Sequence, residues 1–188
     1  MTETPNPHIM DADTMTGEMR PIRQAVLSLG SNLGERFQTL QGAVNALADT
    51  PEVKVVSVSR VYESPAEDAP DGSRDFLNAV LLVDTTLSVH TLLERAHAVE
   101  SAFGRVRSGL TNEPRTLDVD LIVVGERIAH DEDLVLPHPR AHERAFVLRP
   151  WLDIDPEAYI PGQGLAVDLV GKTDQSTLTL RDDLELVL

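Results

Sequence analysis

One stretch, Arg115 to Leu121 (R-T-L-D-V-D-L), constrains the fold more than any other. The run from Leu117 to Val124 is apolar and β-branched apart from Asp118 and Asp120, which predicts a strand. Side chains alternate across a strand, so Asp118 and Asp120 share one face while Leu117, Val119 and Leu121 share the other. With a rise of roughly 3.3 Å per residue, the two carboxylates stand about 6.6 Å apart along the chain. Such a pair opposes folding by mutual repulsion unless positive charge lies between or beside it. The strand is therefore expected to bury one face in a core and turn the other toward a cleft that can hold cations; a solvated strand edge is the plainer alternative. Mg²⁺ carried by a polyphosphate is the natural occupant, because it accepts one or two carboxylates and takes its remaining ligands from phosphate and water.

The rest of the chain supplies a domain around that strand. Its 188 residues, 41% hydrophobic and 25% charged, suffice for one ordinary core. The absence of cysteine excludes disulfides, zinc–thiolate centres and thiol catalysis. No apolar run is long enough to span a bilayer, and no signal-peptide core precedes the first strand. A cytoplasmic protein with no membrane partner is expected. A net charge of -15 argues against nucleic acid as a partner. Arginines nevertheless cluster: Arg105, Arg107 and Arg115 in one segment, and Arg140, Arg144 and Arg149 in another. An acidic protein that concentrates guanidinium groups in this way has a small anionic ligand to bind; solvated surface charge is the plainer alternative.

Residues 1–22 have no apolar period and are expected to form a disordered leader, with a single domain over residues 23–188. Gln24–Leu29 predicts a strand. Ser31 or Asn32 is placed to cap a helix carrying Leu33, Phe37, Leu40, Val44 and Leu47. Val53–Tyr62 predicts a second strand and Phe76–Val83 a third, with Phe76, Asn78, Val80 and Leu82 on one face. Ser88 caps a helix that ends at Gly104, and residues 105–114 form a loop before the acidic strand. A short helix is expected at Ala141–Leu148 and one further strand in the tail from Thr177. The order β-α-β-β-α-β plus a C-terminal extension predicts an α+β, ferredoxin-like fold, an antiparallel-rich sheet packed with helices. Gly171-Lys172-Thr173 is no P-loop, because the position of the first glycine is Ala166 and the residues between are apolar.

Seven segments taken together resemble one family. They are L-S-L-G-S-N-L-G-E-R (27–36), V-Y-E-S-P (61–65), D-F-L-N-A-V (75–80), G-R-V-R (104–107), P-R-T-L-D-V-D-L (114–121), L-P-H-P-R (136–140) and R-A-F-V-L-R-P (144–150). Over about Ala25 to Pro161 the chain resembles the 6-hydroxymethyl-7,8-dihydropterin pyrophosphokinases of folate biosynthesis. The resemblance implies transfer of diphosphate from ATP to the pterin hydroxymethyl oxygen, with release of AMP and two Mg²⁺ ions held by Asp118 and Asp120. It implies catalytic roles for Arg105 and Arg107 on a closing loop. Nucleotide contacts are implied for Glu100, Arg107, Arg115, Leu121, His138 and Arg144. For the pterin it implies stacking between Phe76 and Phe146, hydrogen bonding by Asn78, and contact with Ser64 and Pro65. Core packing would equally account for either phenylalanine or for Leu121, a surface helix acid for Glu100, and a turn for Pro65. The implied partners are small molecules only, with a monomer and association with other folate enzymes both compatible.

The chain departs from the family pattern at Asn112, where a tryptophan is usual, at His97, where glutamine is common, and at Glu67 and Asp68, where an apolar residue and glycine are typical. A non-catalytic nucleotide- or pterin-binding homologue of the same fold is the competing reading.

Overall fold

The computed structural model describes residues 10–12, 19–67, 71–104 and 116–188, with the side chains of 10–12 and 19 left aside. In chain order the elements are β1 (Met10–Ala12), β2 (Met19–Pro21), β3 (Arg23–Ser31), α1 (Arg36–Ala48), β4 (Val53–Val58), β5 (Tyr62–Ser64) and β6 (Phe76–Thr85). They continue with α2 (Val89–Ala102), β7 (Asp118–Val124), β8 (Ala129–His130), β9 (Val135–Leu136) and a 3₁₀ turn at Ala141–Glu143. The chain closes with α3 (Ala145–Ile154), β10 (Tyr159–Ile160), β11 (Gly164–Leu165), α4 (Ala166–Val170) and β12 (Thr179–Leu180).

Among the described residues the main sheet has the order β12-β5-β6-β3-β7, with β4 also pairing with β6, and every pairing is antiparallel. The long strands β3 and β6 form its centre. Their two-residue period sorts side chains into two cores. Ala25, Leu27, Leu29, Ala79, Leu81, Val119 and Leu121 face α1 and α2. Val26, Val80, Leu82 and Ile122 face Leu148 and Trp151 of α3 and Leu169 of α4. Helices α3 and α4 cover only part of that second face, and the uncovered part is where the polar residues of β3, β6 and β7 gather. No helix among the described residues is long and apolar enough to cross a membrane.

The expected helices and strands are present among the described residues, with three local differences; the expected loop at residues 105–114 lies outside the described residues. Strand β3 runs on through Gly30 to Ser31, because both pair with β6. Ser31 and Asn32 therefore do not cap α1; Glu35 occupies the N-cap without a side-chain hydrogen bond, and Asn32 donates instead to the Arg74 carbonyl. The expected strand Val53–Tyr62 divides at Ser59, whose backbone N–H donates to Val80 O while its hydroxyl accepts from Val80 N. The two halves thus pair with successive lengths of the same strand, β6. The expected helix at Ala141–Leu148 opens as a 3₁₀ turn, and α3 proper continues through Pro150 to Ile154, with Trp151 buried beneath it. In the expected leader, β1 and β2 pair with each other.

Candidate active site

Cross-strand register assembles the site. Gly30 of β3 stands opposite Asn78 of β6 and Asp118 of β7, and Ser28 stands opposite Val80 and Asp120. Two rows therefore cross the sheet on its uncovered face, Asp118–Gly30–Asn78 and Asp120–Ser28–Val80. A β-carbon at Gly30 would lie 3.3 Å from Phe76 Cδ1 and 3.6 Å from Asn78 Oδ1, so glycine keeps the floor low between the acids and the asparagine. Register alone makes Asp118 and Asp120 neighbours on one face.

Two cavities meet at this acid pair. The first, about 220 Å³, is lined by Ser28, Gly30, Ser64, Pro65, Glu67, Phe76, Asn78, Arg140, Arg144 and Phe146 together with Asp118, Asp120 and His138. The second, about 330 Å³, shares Asp118, Asp120 and His138 and extends past His97, Glu100, Leu121, Leu134 and Val135. Two ligands seated in these cavities would face each other across the carboxylates.

In the first cavity Asn78 is 3% exposed. Its amide nitrogen donates to Ser64 Oγ at 2.9 Å and to Tyr62 O at 3.3 Å, which fixes the amide's orientation. Phe76 comes from the start of β6 and Phe146 from the start of α3, so two aromatic rings from separate elements line one space. The Arg144 guanidinium lies 5.4 Å from the Phe146 ring centroid, a cation–π distance. At the junction, His138 Nε2 is 3.9 Å from Asp120 Oδ2. Burial, reinforced by the positive charge of Arg144 and then of Arg140 and opposed by Asp118, pushes the His138 imidazole down to about 4. At neutral pH the ring is uncharged. The Arg140 backbone N–H donates to its Nδ1 at 3.1 Å, which assigns the remaining proton to Nε2, on the side of the acid pair.

In the second cavity Glu100 is 2% exposed, and its Oε1 accepts the Val119 N–H at 2.9 Å. Val119 lies between the two acids, so α2 grips β7 at the residue that sets their spacing. Leu121 is buried against the α1–α2 core and also lines this cavity.

Asp118, Asp120, Ser64, Pro65, Phe76, Asn78, Phe146, His138 and Arg144 thus gather at the first cavity, with Glu100 and Leu121 at the second. Arg105, Arg107 and Arg115, like Asn112 and Asp68, lie outside the described residues. Arg149 parts from its cluster, being an exposed residue of α3 beside Tyr62. Sequence reasoning missed Ser28 and Gly30. Their signal was the two-residue period from Val26 through Ser28 to Gly30, which outruns the apolar stretch ending at Leu29.

The donor set fits a hard cation. Two carboxylate oxygens on one face leave the other positions of Mg²⁺ to phosphate and water, the balance that ion favours. A carboxylate pair where two cavities meet, one of them lined by arginines and two aromatic rings, suits an enzyme that passes a phosphate-containing group between two small molecules. A family model described as 7,8-dihydro-6-hydroxymethylpterin-pyrophosphokinase (HPPK) matches residues 26–156, and the chain belongs to that family. It is 42% identical over 156 residues to the 2-amino-4-hydroxy-6-hydroxymethyldihydropteridine pyrophosphokinase of Methylorubrum extorquens, covering 81% of this chain and 95% of the relative. The enzyme of the same name from Pseudomonas aeruginosa is 39% identical over 140 residues, covering 74% of this chain and 85% of the relative. Among solved structures, an HPPK-DHPS chain of Plasmodium falciparum shares the fold with a TM-score of 0.63 at 15% identity. The match covers 84% of this chain but only 46% of that one.

Proposed function

We propose that this protein transfers a diphosphate group from ATP to the hydroxymethyl oxygen of 6-hydroxymethyl-7,8-dihydropterin, releasing AMP, in folate biosynthesis. The observation that carries this reading is the meeting of two cavities at Asp118 and Asp120. The pterin occupies the cavity of Phe76, Asn78 and Phe146, and the nucleotide occupies the cavity of Glu100 and Leu121. The hydroxymethyl oxygen forms a bond to the β-phosphorus, the bond from that phosphorus to the oxygen it shares with the α-phosphate breaks so that AMP leaves, and the hydroxyl proton passes to water.

Asp118 and Asp120 would hold two Mg²⁺ ions, which supply charge neutralisation of the triphosphate when bound. The chain's own groups orient and neutralise. Asn78 presents an amide to the pterin edge, and Ser64 keeps that amide from rotating. Phe76 and Phe146 bracket the flat ring. Arg144 and neutral His138 direct N–H donors at phosphate oxygens, where a guanidinium fork fits two oxygens at once. By the family pattern Arg105, Arg107 and Arg115 complete the phosphate contacts, with Arg105 and Arg107 catalytic. Positioning and charge neutralisation then carry most of the rate enhancement.

The same reading takes residues 23–188 as one catalytic domain behind a leader of residues 1–22, acting as a cytoplasmic monomer. Association with other folate enzymes finds support in relatives that continue well beyond the matched region. The Pneumocystis carinii folic acid synthesis protein fol1, 38% identical over 141 residues, is matched over 19% of its length.

Incubation with ATP, Mg²⁺ and the hydroxymethyl pterin should yield AMP and diphosphorylated pterin in equal amounts. No AMP at high enzyme concentration would overturn the reading.

A further inference from the structure

Glu67 has no part in the chemistry above, yet it enters the first cavity among its cationic groups. Its Oε2 stands 3.6 Å from Arg140 Nη2 and 3.7 Å from Arg144 Nε. The Arg144 Nε is fully buried and has no hydrogen-bond acceptor among the described residues. A buried donor in that condition is costly, so the site leaves room for an oxygen that Glu67 approaches without reaching bonding distance. Arg140 is differently placed, since its Nε already donates to Glu143 Oε1 at 3.0 Å. The Glu67 side chain is 43% exposed, so it can swing into solvent without uncovering a core.

We infer that Glu67 is a built-in competitor for Arg140 and Arg144: its carboxylate partly neutralises the two guanidinium groups in the free enzyme, and the incoming diphosphate group displaces it. The inference deepens the diphosphate-transfer reading and rests on it. Two consequences follow from charge alone. An anion entering this wall must first separate a like-charged carboxylate from its partners, which weakens ground-state binding. The product carries its diphosphate in the cavity that holds the pterin, so the returning carboxylate competes with it and hastens its departure. Glu67 thus tunes anion binding and release, and makes no bond to the reacting atoms.

The test is binding of inorganic pyrophosphate with Mg²⁺, measured by calorimetry on the full-length protein and on Glu67→Gln. Two partly exposed ion pairs are lost in the variant, so its affinity should rise about 3- to 10-fold at low salt. The difference should shrink toward nothing at about 0.5 M salt, where such pairs are screened. In turnover, KM for ATP and kcat should fall together, with stronger inhibition by added product. Equal affinity in the two proteins, weaker binding by Glu67→Gln, or binding by neither would overturn the inference. Failure of the transfer reading would show separately, as absence of AMP formation by the unaltered protein whatever the affinity ratio.

Discussion

At the residue scale the proposed chemistry depends on two carboxylates that strand alternation sets side by side on one face of β7. Asp118→Asn or Asp120→Asn keeps the shape and removes one charge. Each should lower AMP formation by about 10²- to 10³-fold, the loss typical of removing one preorganised electrostatic contact. Circular dichroism should stay unchanged, because both side chains face the cleft rather than a core. Normal turnover by either variant, measured by AMP release, would remove the acid pair from the chemistry. Much at this scale was legible beforehand. Asp118 with Asp120, and Phe76 with Asn78, follow from the two-residue period within single strands. Glu100 was not legible as a backbone anchor, because its partner Val119 lies 19 residues away on another element. Gly30 was equally hidden, since its reason is the Phe76 ring standing over it from a neighbouring strand.

At the element scale, order and type could be read from periodicity and caps, and Ser88 does accept the Thr91 N–H at the start of α2. The misread boundaries share a cause, which is that tertiary pairing overrode local pattern. Strand β3 outran its apolar stretch because β6 and β7 flank it, and α3 absorbed Pro150 because Trp151 is buried from the same turn. The α2–β7 junction makes a sharp prediction. Glu100→Ala leaves the buried Val119 N–H without its acceptor and should cost about 1–3 kcal/mol. For a protein of this size that is roughly 3–10 °C in Tm. Glu100→Gln, which keeps an acceptor oxygen, should recover most of the loss in a thermal melt; no recovery would mean that charge rather than the hydrogen bond matters there. Strand β5 makes a second prediction. Burial works against ionisation of Glu63, but hydrogen bonds from Arg36 at 2.6 Å and Arg181 at 2.8 Å outweigh it and hold the carboxyl below its ordinary value. The folded state therefore binds this proton less readily than the unfolded chain. The contribution is complete above the unfolded value of about 4.5 and is lost as pH falls through the lower folded value. Glu63→Gln should be less stable by about 1 kcal/mol at pH 6 in urea unfolding, and the gap should close as the medium is acidified through that range. A gap independent of pH would show that ionisation of Glu63 is not what the two arginines exploit.

At the scale of the whole molecule, the proposed reading sets the two ligands toward opposite edges of the sheet. Strand β7, with the acids and the second cavity, lies at one edge, and β12 lies at the other, next to β5 with Ser64. The C-terminal segment beyond the family match reaches β5, the strand of Ser64, and also α1 and the main core. Its hold is specific: Thr179 and Leu180 pair with Glu63 and Tyr62, and Arg181 reaches Glu63. Leu186 enters the main core at 6% exposure, and Gln41 clamps Val187 with bonds of 2.8 and 3.0 Å to its carbonyl and N–H. Deleting residues 177–188 removes one buried leucine, worth about 2 kcal/mol, and a two-point amide clamp worth about 1 kcal/mol. Tm should fall by about 6–12 °C. The kinetic consequence is the more discriminating measurement. Loosening β5 frees Ser64, the partner that orients the Asn78 amide, so KM for the pterin should rise several-fold, on the order of one lost neutral hydrogen bond. KM for ATP should stay within about twofold, since β3 and β6 stand between the loosened edge and β7 and distant sites respond nearly independently. An equal rise in both constants would mean that the tail stabilises the sheet as a unit, and the division of labour between its edges would have to be abandoned.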